Sequence, residues 1–268
     1  MAYNKERQLR DNIEAVRLAL RLGIEHRTAQ TPAERATLSK YGGFGGLKFI
    51  LNDANELSDA AKWSAADSKY FARTMELNSI IRDYSKDERE RKAYMDSLKA
   101  SVLTAFYTPR PVVDAISGAL KDSGIDVKRF LEPSAGRGVF LDSFIGRNPG
   151  TEALAYEKDL ITGRILTALQ PSALVRVEGF ENIERGFKGY FDVAASNIPF
   201  GDLAVADPEF ATSKEIAVRQ STKAIHNYFF LKSLDQVREG GLVVFITSQG
   251  VMNAASPFVR MELDIENK

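Results

Sequence analysis

The 268-residue sequence contains no cysteine, which excludes disulfides and thiolate metal sites. Histidine is almost as scarce: with only His26 and His226, a histidine-rich metal centre is not expected. No apolar run approaches the roughly 20 residues of a membrane-spanning helix. Met1-Ala-Tyr-Asn-Lys-Glu-Arg7 leads into a charged amphipathic pattern and not into a signal sequence. These absences predict a soluble, cytoplasmic protein without metal or membrane partners. A charge excess is missing too, since 36 basic and 36 acidic residues cancel. Proteins that grip nucleic acid unaided usually carry a basic excess, because phosphate neutralisation supplies much of the affinity. The balance here argues against a tight solitary grip and leaves room for a local basic face.

Apolar residues make up 44% of the chain, enough for a buried core. Leu9, Ile13, Val16 and Leu20 recur at helical steps, with Arg10, Glu14, Arg17 and Arg21 opposite. Thr31-Pro-Ala-Glu34 has the composition of a helix start: a threonine cap, proline in the first turn and a glutamate reaching back. Tyr41-Gly-Gly-Phe-Gly-Gly-Leu47 follows. It is either a loop that approaches a ligand closely or a tight turn at which Phe44 plugs the core. Helical patterning resumes from about residue 65 to 104, with a charge run at Ser85–Lys92 that reads as a solvated face. No internal repeat is visible. Residues 1–105 are expected to form a helical accessory segment.

After Tyr107-Thr108-Pro109 the character changes. Strand patterns at 127–131, 153–156, 174–177, 190–195 and 242–247 alternate with helical ones at 112–120, 139–145, 160–169 and 227–237. Such alternation predicts an α/β domain over 106–268, a parallel sheet with helices on both faces. Its ligand is expected beyond the carboxyl ends of the strands. The 201–220 stretch, lacking strong periodicity, is expected to be a mobile loop.

Two turns at those strand ends carry chemistry. Glu132-Pro133-Ser134-Ala135-Gly136-Arg137-Gly138 follows the first strand and opens a helix. Its glycines allow close backbone approach, and its glutamate stands where a dinucleotide would need a helix end free for pyrophosphate. A zwitterionic, sulfonium-bearing ligand fits better; the plain alternative is a structural glycine turn. Glu157, followed by Lys158, ends the second strand, where a carboxylate can accept from both hydroxyls of a ribose. After the third strand, Phe180 and Glu181 offer an apolar wall and an acceptor for an adenine ring, or an ordinary loop around a buried Phe180.

The second turn is Ser196-Asn197-Ile198-Pro199-Phe200-Gly201. An aniline-like amino group is a poor nucleophile, because its lone pair is delocalised into the ring. The Asn197 side-chain oxygen and the Ile198 carbonyl can hold its two hydrogens and turn the lone pair toward a methyl donor. Pro199 stiffens the turn and Phe200 can stack on the ring. A base in a duplex must first flip out, at roughly a few kcal/mol. Positioning, and not a strong general base, supplies most of the effect.

With these motifs in place, the chain resembles the adenine-specific (N-6) DNA methyltransferases, in the class whose motifs run cofactor side first. Tyr107-Thr108-Pro109 looks like the motif before the first strand that holds the methionine carboxylate. Glu132–Gly138 looks like the main cofactor loop, with Glu132 toward the methionine amino group and Gly136 and Gly138 along the nucleoside. Glu157 matches the ribose-binding acid, and Asn197-Ile-Pro-Phe200 matches the catalytic Asn-Pro-Pro-Tyr/Phe motif, with Asn197 also among the expected cofactor-binding residues. Tyr41–Leu47, His226-Asn-Tyr-Phe-Phe and Ile246-Thr-Ser-Gln-Gly250 further resemble the methylase domains of large plasmid and conjugative-element proteins, which often lie beside a helicase module. Two positions depart from the pattern. Ile198 replaces the first proline, and Gly179 falls where the family has an aspartate that reads the cofactor adenine, so Glu178 or Glu181 must substitute.

The resemblance implies a Rossmann-like methyltransferase fold, S-adenosylmethionine as cofactor and a flipped adenine in DNA as acceptor. A helicase or target-recognition module, in this or another chain, is the implied partner. The family has further strands after Thr247–Gly250 that the remaining 18 residues are too few to supply. Two alternatives stay open: methylation of RNA or of a protein glutamine, and a non-catalytic cofactor- or nucleic-acid-binding module.

Overall fold

The computed structural model describes residues 4–104, 107–201 and 203–247. In chain order the elements are α1 (Lys5–Ile24), α2 (Pro32–Ser39), α3 (Phe71–Tyr84), α4 (Glu88–Thr104), α5 (Arg110–Asp122), β1 (Arg129–Glu132), α6 (Val139–Arg147), β2 (Glu152–Tyr156), α7 (Leu160–Leu169), β3 (Ala173–Arg176), β4 (Phe191–Asn197), α8 (Pro208–Ala211), α9 (Ile216–Ser221), α10 (Ile225–Gln236) and β5 (Val237–Ile246). They divide into two compact units. One takes the described residues of Met1–Tyr107 with Gly136–Gly138 and Glu157–Pro171; the other takes Thr108–Ala135, Val139–Tyr156 and the described residues from Ser172 onward. No helix among the described residues is long and apolar enough to cross a membrane.

In the first unit the apolar stripe of α1 is buried, and Leu9, Ile13 and Val16 share a core with Ile161, Ile165 and Ala168 of α7. The expected start of α2 is realised in full: Glu34 N–H donates to Thr31 Oγ1 and Thr31 N–H to the Glu34 carboxylate. The glycine-rich stretch is the plugged turn. Phe44 is completely buried, edge-on to Tyr41. Gly43 and Gly46 take positive φ (68° and 78°), and the Asn12 amide bridges Gly42 N–H and Gly43 O. Ser85–Lys92 is solvated, with Arg91 paired to Glu88 and Lys92 to Asp96.

The second unit holds a five-stranded sheet in the order β3-β2-β1-β4-β5, parallel throughout. Adjacent residues of β1 face opposite ways. Phe130 stacks on Phe144 of α6, with centroids 4.4 Å apart. Leu131 joins Leu154, Ala194, Tyr228, Phe229 and Leu231 in the core under α10. Helices thus cover both faces, which is why β4 reads as an almost unbroken buried run. Asp192, at the start of β4, accepts from Lys128 N–H, Arg129 N–H and Arg238 Nε, tying three strands at their amino ends.

Two expectations change. β5 starts at Val237 and not at residue 242; its polar opening, Arg238-Glu-Gly-Gly241, reads as a turn, yet belongs to the strand. The 201–220 stretch is built on Asp207 and contains α8 and α9. Asp207 caps α8 through Phe210 N–H and accepts from Tyr228 Oη (2.7 Å) and Lys232 Nζ (2.9 Å). A single buried acid leaves no periodic signature, so the sequence reads as patternless there. Residues 248–268, including Ser248-Gln-Gly250 of the last motif, lie outside the described residues.

Candidate active site

The loop after β1 is fixed from three directions within the second unit. Glu132 is 1% exposed, and the N–H of Leu141, in the first turn of α6, donates to its Oε2 at 3.0 Å. The carboxylate therefore lies at the helix amino end, where exposed N–H groups and the helix dipole favour negative charge. A phosphate placed there would meet an acid. Ala135 N–H donates to Tyr156 O at the end of β2 (2.9 Å). From the other side, Ser196 Oγ donates to Ser134 O at 2.8 Å. Pro133 is buried and Ser134 half-buried. Ahead of α5, the Thr108 hydroxyl oxygen is buried without a hydrogen-bond partner among the described residues.

The Ser196 hydrogen bond brings the second turn to the first. Asn197 ends β4 in register with Ile246, and Ile198 N–H donates to Ile246 O at 3.2 Å. Ile198 is buried and Pro199 half-buried, while Phe200 is 55% exposed, its ring open to a stacking partner. Asn197 is half-buried at the carboxyl edge of the sheet. Phe180 does not present a free ring face. It is 1% exposed, packed edge-on to Tyr156 and tilted against Phe229. Next to it, the Glu181 carboxylate fills the space beside Gly179 into which a side chain at 179 would project.

The remaining residues belong to the first unit. Glu157 Oε2 accepts from Gly136 N–H (2.7 Å) and Oε1 from Asp159 N–H (2.8 Å). Burial pushes its carboxyl up to about 7, against the pull of these N–H groups. Lys158 is exposed. The Tyr107 ring lies against Gly136, close enough that a Cβ there would come within 2.8 Å of it. The phenol of Tyr107 is 3.2 Å from Thr162 Oγ1, and burial followed by the Glu157 charge raises its pKa. Gly138 has φ 85°, and a Cβ would lie 2.8 Å from Leu166 and 2.9 Å from Gln170. Both glycines thus make room for protein side chains, Gly138 for the packing of α7.

Ser196 and Thr162 were not singled out by sequence reasoning. The partner of Ser196 is a backbone carbonyl 62 residues away, which no local pattern announces. What the second unit brings together on the carboxyl side of its parallel sheet is a buried acid and an asparagine turn with an exposed aromatic ring.

This architecture is the Rossmann-like fold of the S-adenosylmethionine-dependent methyltransferases, with an added amino-terminal helical segment. A protein of Listeria monocytogenes assigned as a class I S-adenosylmethionine-dependent methyltransferase is 14% identical and superposes with a TM-score of 0.52, covering 98% of this chain and 79% of its own. The modification subunit of an assigned type I restriction enzyme from Vibrio vulnificus is 13% identical, with a TM-score of 0.50 and coverage of 94% and 68%. In sequence, the chain is similar to Defense against restriction protein B of Escherichia phage P1, 28% identical over 170 residues. The match takes in 62% of this chain but only 7% of the length of that relative. No protein-family model matches the chain.

Proposed function

We propose that this protein binds S-adenosylmethionine and transfers its methyl group to the exocyclic amino group of adenine in DNA. The observation that carries the reading is the Ser196–Ser134 hydrogen bond, which holds the Asn197 turn beside the Glu132 loop. The residues fit the cofactor. Glu132 suits an ammonium and opposes a diphosphate, and the unpartnered Thr108 hydroxyl suits a carboxylate. Glu157 accepts from the ribose hydroxyls. Glu181, lying in the space beside Gly179, takes the part of the adenine-reading acid that position 179 lacks. The likeness to a methyltransferase and to a restriction-system modification subunit supports both the cofactor and a nucleic-acid acceptor.

Bound there, the cofactor supplies an electrophilic methyl on a sulfonium. The chain's part is to prepare the nucleophile. The Asn197 side-chain oxygen and the Ile198 carbonyl accept the two amino hydrogens, drawing the nitrogen lone pair out of conjugation. Phe200 stacks on the flipped base, and Pro199 keeps the two acceptors in place. The similarity to a phage protein named for defence against restriction favours DNA over RNA or a protein glutamine, and a mobile element as the setting. A helicase or recognition module would supply the grip that a net charge of zero does not.

The test is a calorimetric titration of the 268-residue chain with S-adenosylmethionine, followed by transfer of labelled methyl to adenine-containing oligonucleotides. Micromolar binding weakened by Glu157→Ala, with label recovered as N6-methyladenine, is the expected result. Binding without transfer to any nucleic acid or glutamine peptide would instead establish a non-catalytic module.

A further inference from the structure

In the second unit, α10 runs antiparallel to β5: Gln236 leads directly into Val237, while Phe230 packs on Phe245 with ring centroids 5.1 Å apart. Phe245 is the register partner of Ser196. At about 1.5 Å per helical residue, His226 lies roughly 6 Å further toward the start of α10 than Phe230. At roughly 3.3 Å per strand residue, that is the level of Ile198 and Thr247, at the carboxyl edge of the sheet.

His226 is 4% exposed, and neither Nδ1 nor Nε2 has a hydrogen-bond partner among the described residues. The Thr247 hydroxyl oxygen is likewise buried, with no hydrogen-bond partner among the described residues. Ser233 Oγ and Gln236 Oε1 also lack partners, but they lie nearer the carboxyl end of α10, toward the opposite edge of the sheet. Native proteins seldom leave buried polar atoms unbonded. Two such side chains at the level of the Asn197 turn point to a ligand.

We propose that His226, with Thr247, reads the ring edge of the methyl acceptor. This rests on the adenine-methylating reading above and adds what that reading lacks. Asn197 and Ile198 engage only the amino group and Phe200 only the ring face, which leaves the ring nitrogens unread. An imidazole offers a donor on one nitrogen and an acceptor on the other, and a purine ring presents unprotonated nitrogens that accept. Donation from His226 to one of them distinguishes this ring from others that carry an amino group. An acceptor without this nitrogen leaves a buried donor unpaired, the strongest means a pocket has of rejecting an analogue.

With only two histidines in the chain, and His26 exposed, the imidazole nitrogens of His226 can be followed by 15N NMR in the unaltered protein. The probes are S-adenosylhomocysteine and single-stranded oligonucleotides carrying one adenine, or 1-, 3- or 7-deazaadenine in its place. The expected result is a shift of the His226 signals on adding the adenine strand, abolished by one of the three deaza substitutions. In the transfer assay, His226→Gln should lower kcat/KM for adenine by at least about tenfold. It should bring no further loss on that same deaza strand, and cofactor affinity should be unchanged. Silent His226 signals on a strand that the protein methylates would overturn the proposal, as would an unaltered kcat/KM in His226→Gln. If the native chain binds cofactor but methylates no strand, the adenine reading fails first and takes this inference with it.

Discussion

Glu157 holds its charge where burial opposes it. Its folded pKa is raised to about 7 from an ordinary 4.5, so the folded chain binds a proton more tightly than the unfolded one. The stability this contributes is present at low pH and is lost as pH rises from about 4.5 to about 7. Glu157→Gln should therefore raise the melting temperature at pH 8, with the gain shrinking toward pH 5 in thermal scans. In the proposed reading, the carboxylate form is the one that accepts two ribose hydroxyls. Cofactor affinity in the native chain should thus weaken as pH falls through about 7, a dependence absent from Glu157→Gln in calorimetry. Asn197→Ala should lower kcat by about 100-fold or more while cofactor Kd stays within about threefold, because in the proposed reading its main contact is with the acceptor. Gly138→Ala should cost about 1–3 kcal/mol in urea unfolding, from a positive φ and a clash with Leu166. Glu132 and Asn197 stand out in the sequence because their types and turns are distinctive. Ser196 does not, since a serine beside an asparagine has no signal until its carbonyl partner is in place. Phe180 was legible as a buried aromatic but not as one enclosed by Tyr156 and Phe229.

Among the elements, those with a local cause were readable. The Thr31–Glu34 capping box fixes the start of α2, and α7 runs over Leu160–Leu169 as its pattern predicts. What packs on α7 was not readable, because Ile161, Thr162, Ile165 and Leu166 are buried on several sides of the helix and mark no single face. The 201–220 stretch is unreadable for the opposite reason: Asp207, the polar residue that joins it to α10, carries no periodic signal. Burial alone would raise the Asp207 pKa, but hydrogen bonds from Tyr228 and Lys232 hold it below the ordinary aspartate value. Asp207→Ala leaves the buried Lys232 ammonium uncompensated, and such breaks cost about 3–5 kcal/mol. Urea unfolding should register that loss, and amide exchange in α8 and α9 should accelerate before the rest of the second unit.

For the whole molecule, the decisive quantity is the balanced charge. With 36 basic and 36 acidic residues, the isolated chain should release few counterions from duplex DNA. Its affinity should be weak, with a shallow dependence on salt compared with proteins that neutralise about 6–10 phosphates. Fluorescence anisotropy across a salt series measures this, and a steep slope would reveal a concentrated basic face.

The carboxylate of Glu132 at the start of α6 has a consequence in the crowded chemistry of a cell. Adenosine phosphates and dinucleotides carry the same nucleoside as the proposed cofactor and are abundant competitors. A fold of this kind is exposed to them wherever its first helix offers an empty positive end. Here that end is already neutralised by an acid fixed to the backbone of Leu141, so phosphorylated adenosines are met by repulsion. ATP and NAD should then fail to inhibit, and selectivity among adenosine ligands is set before any of them arrives.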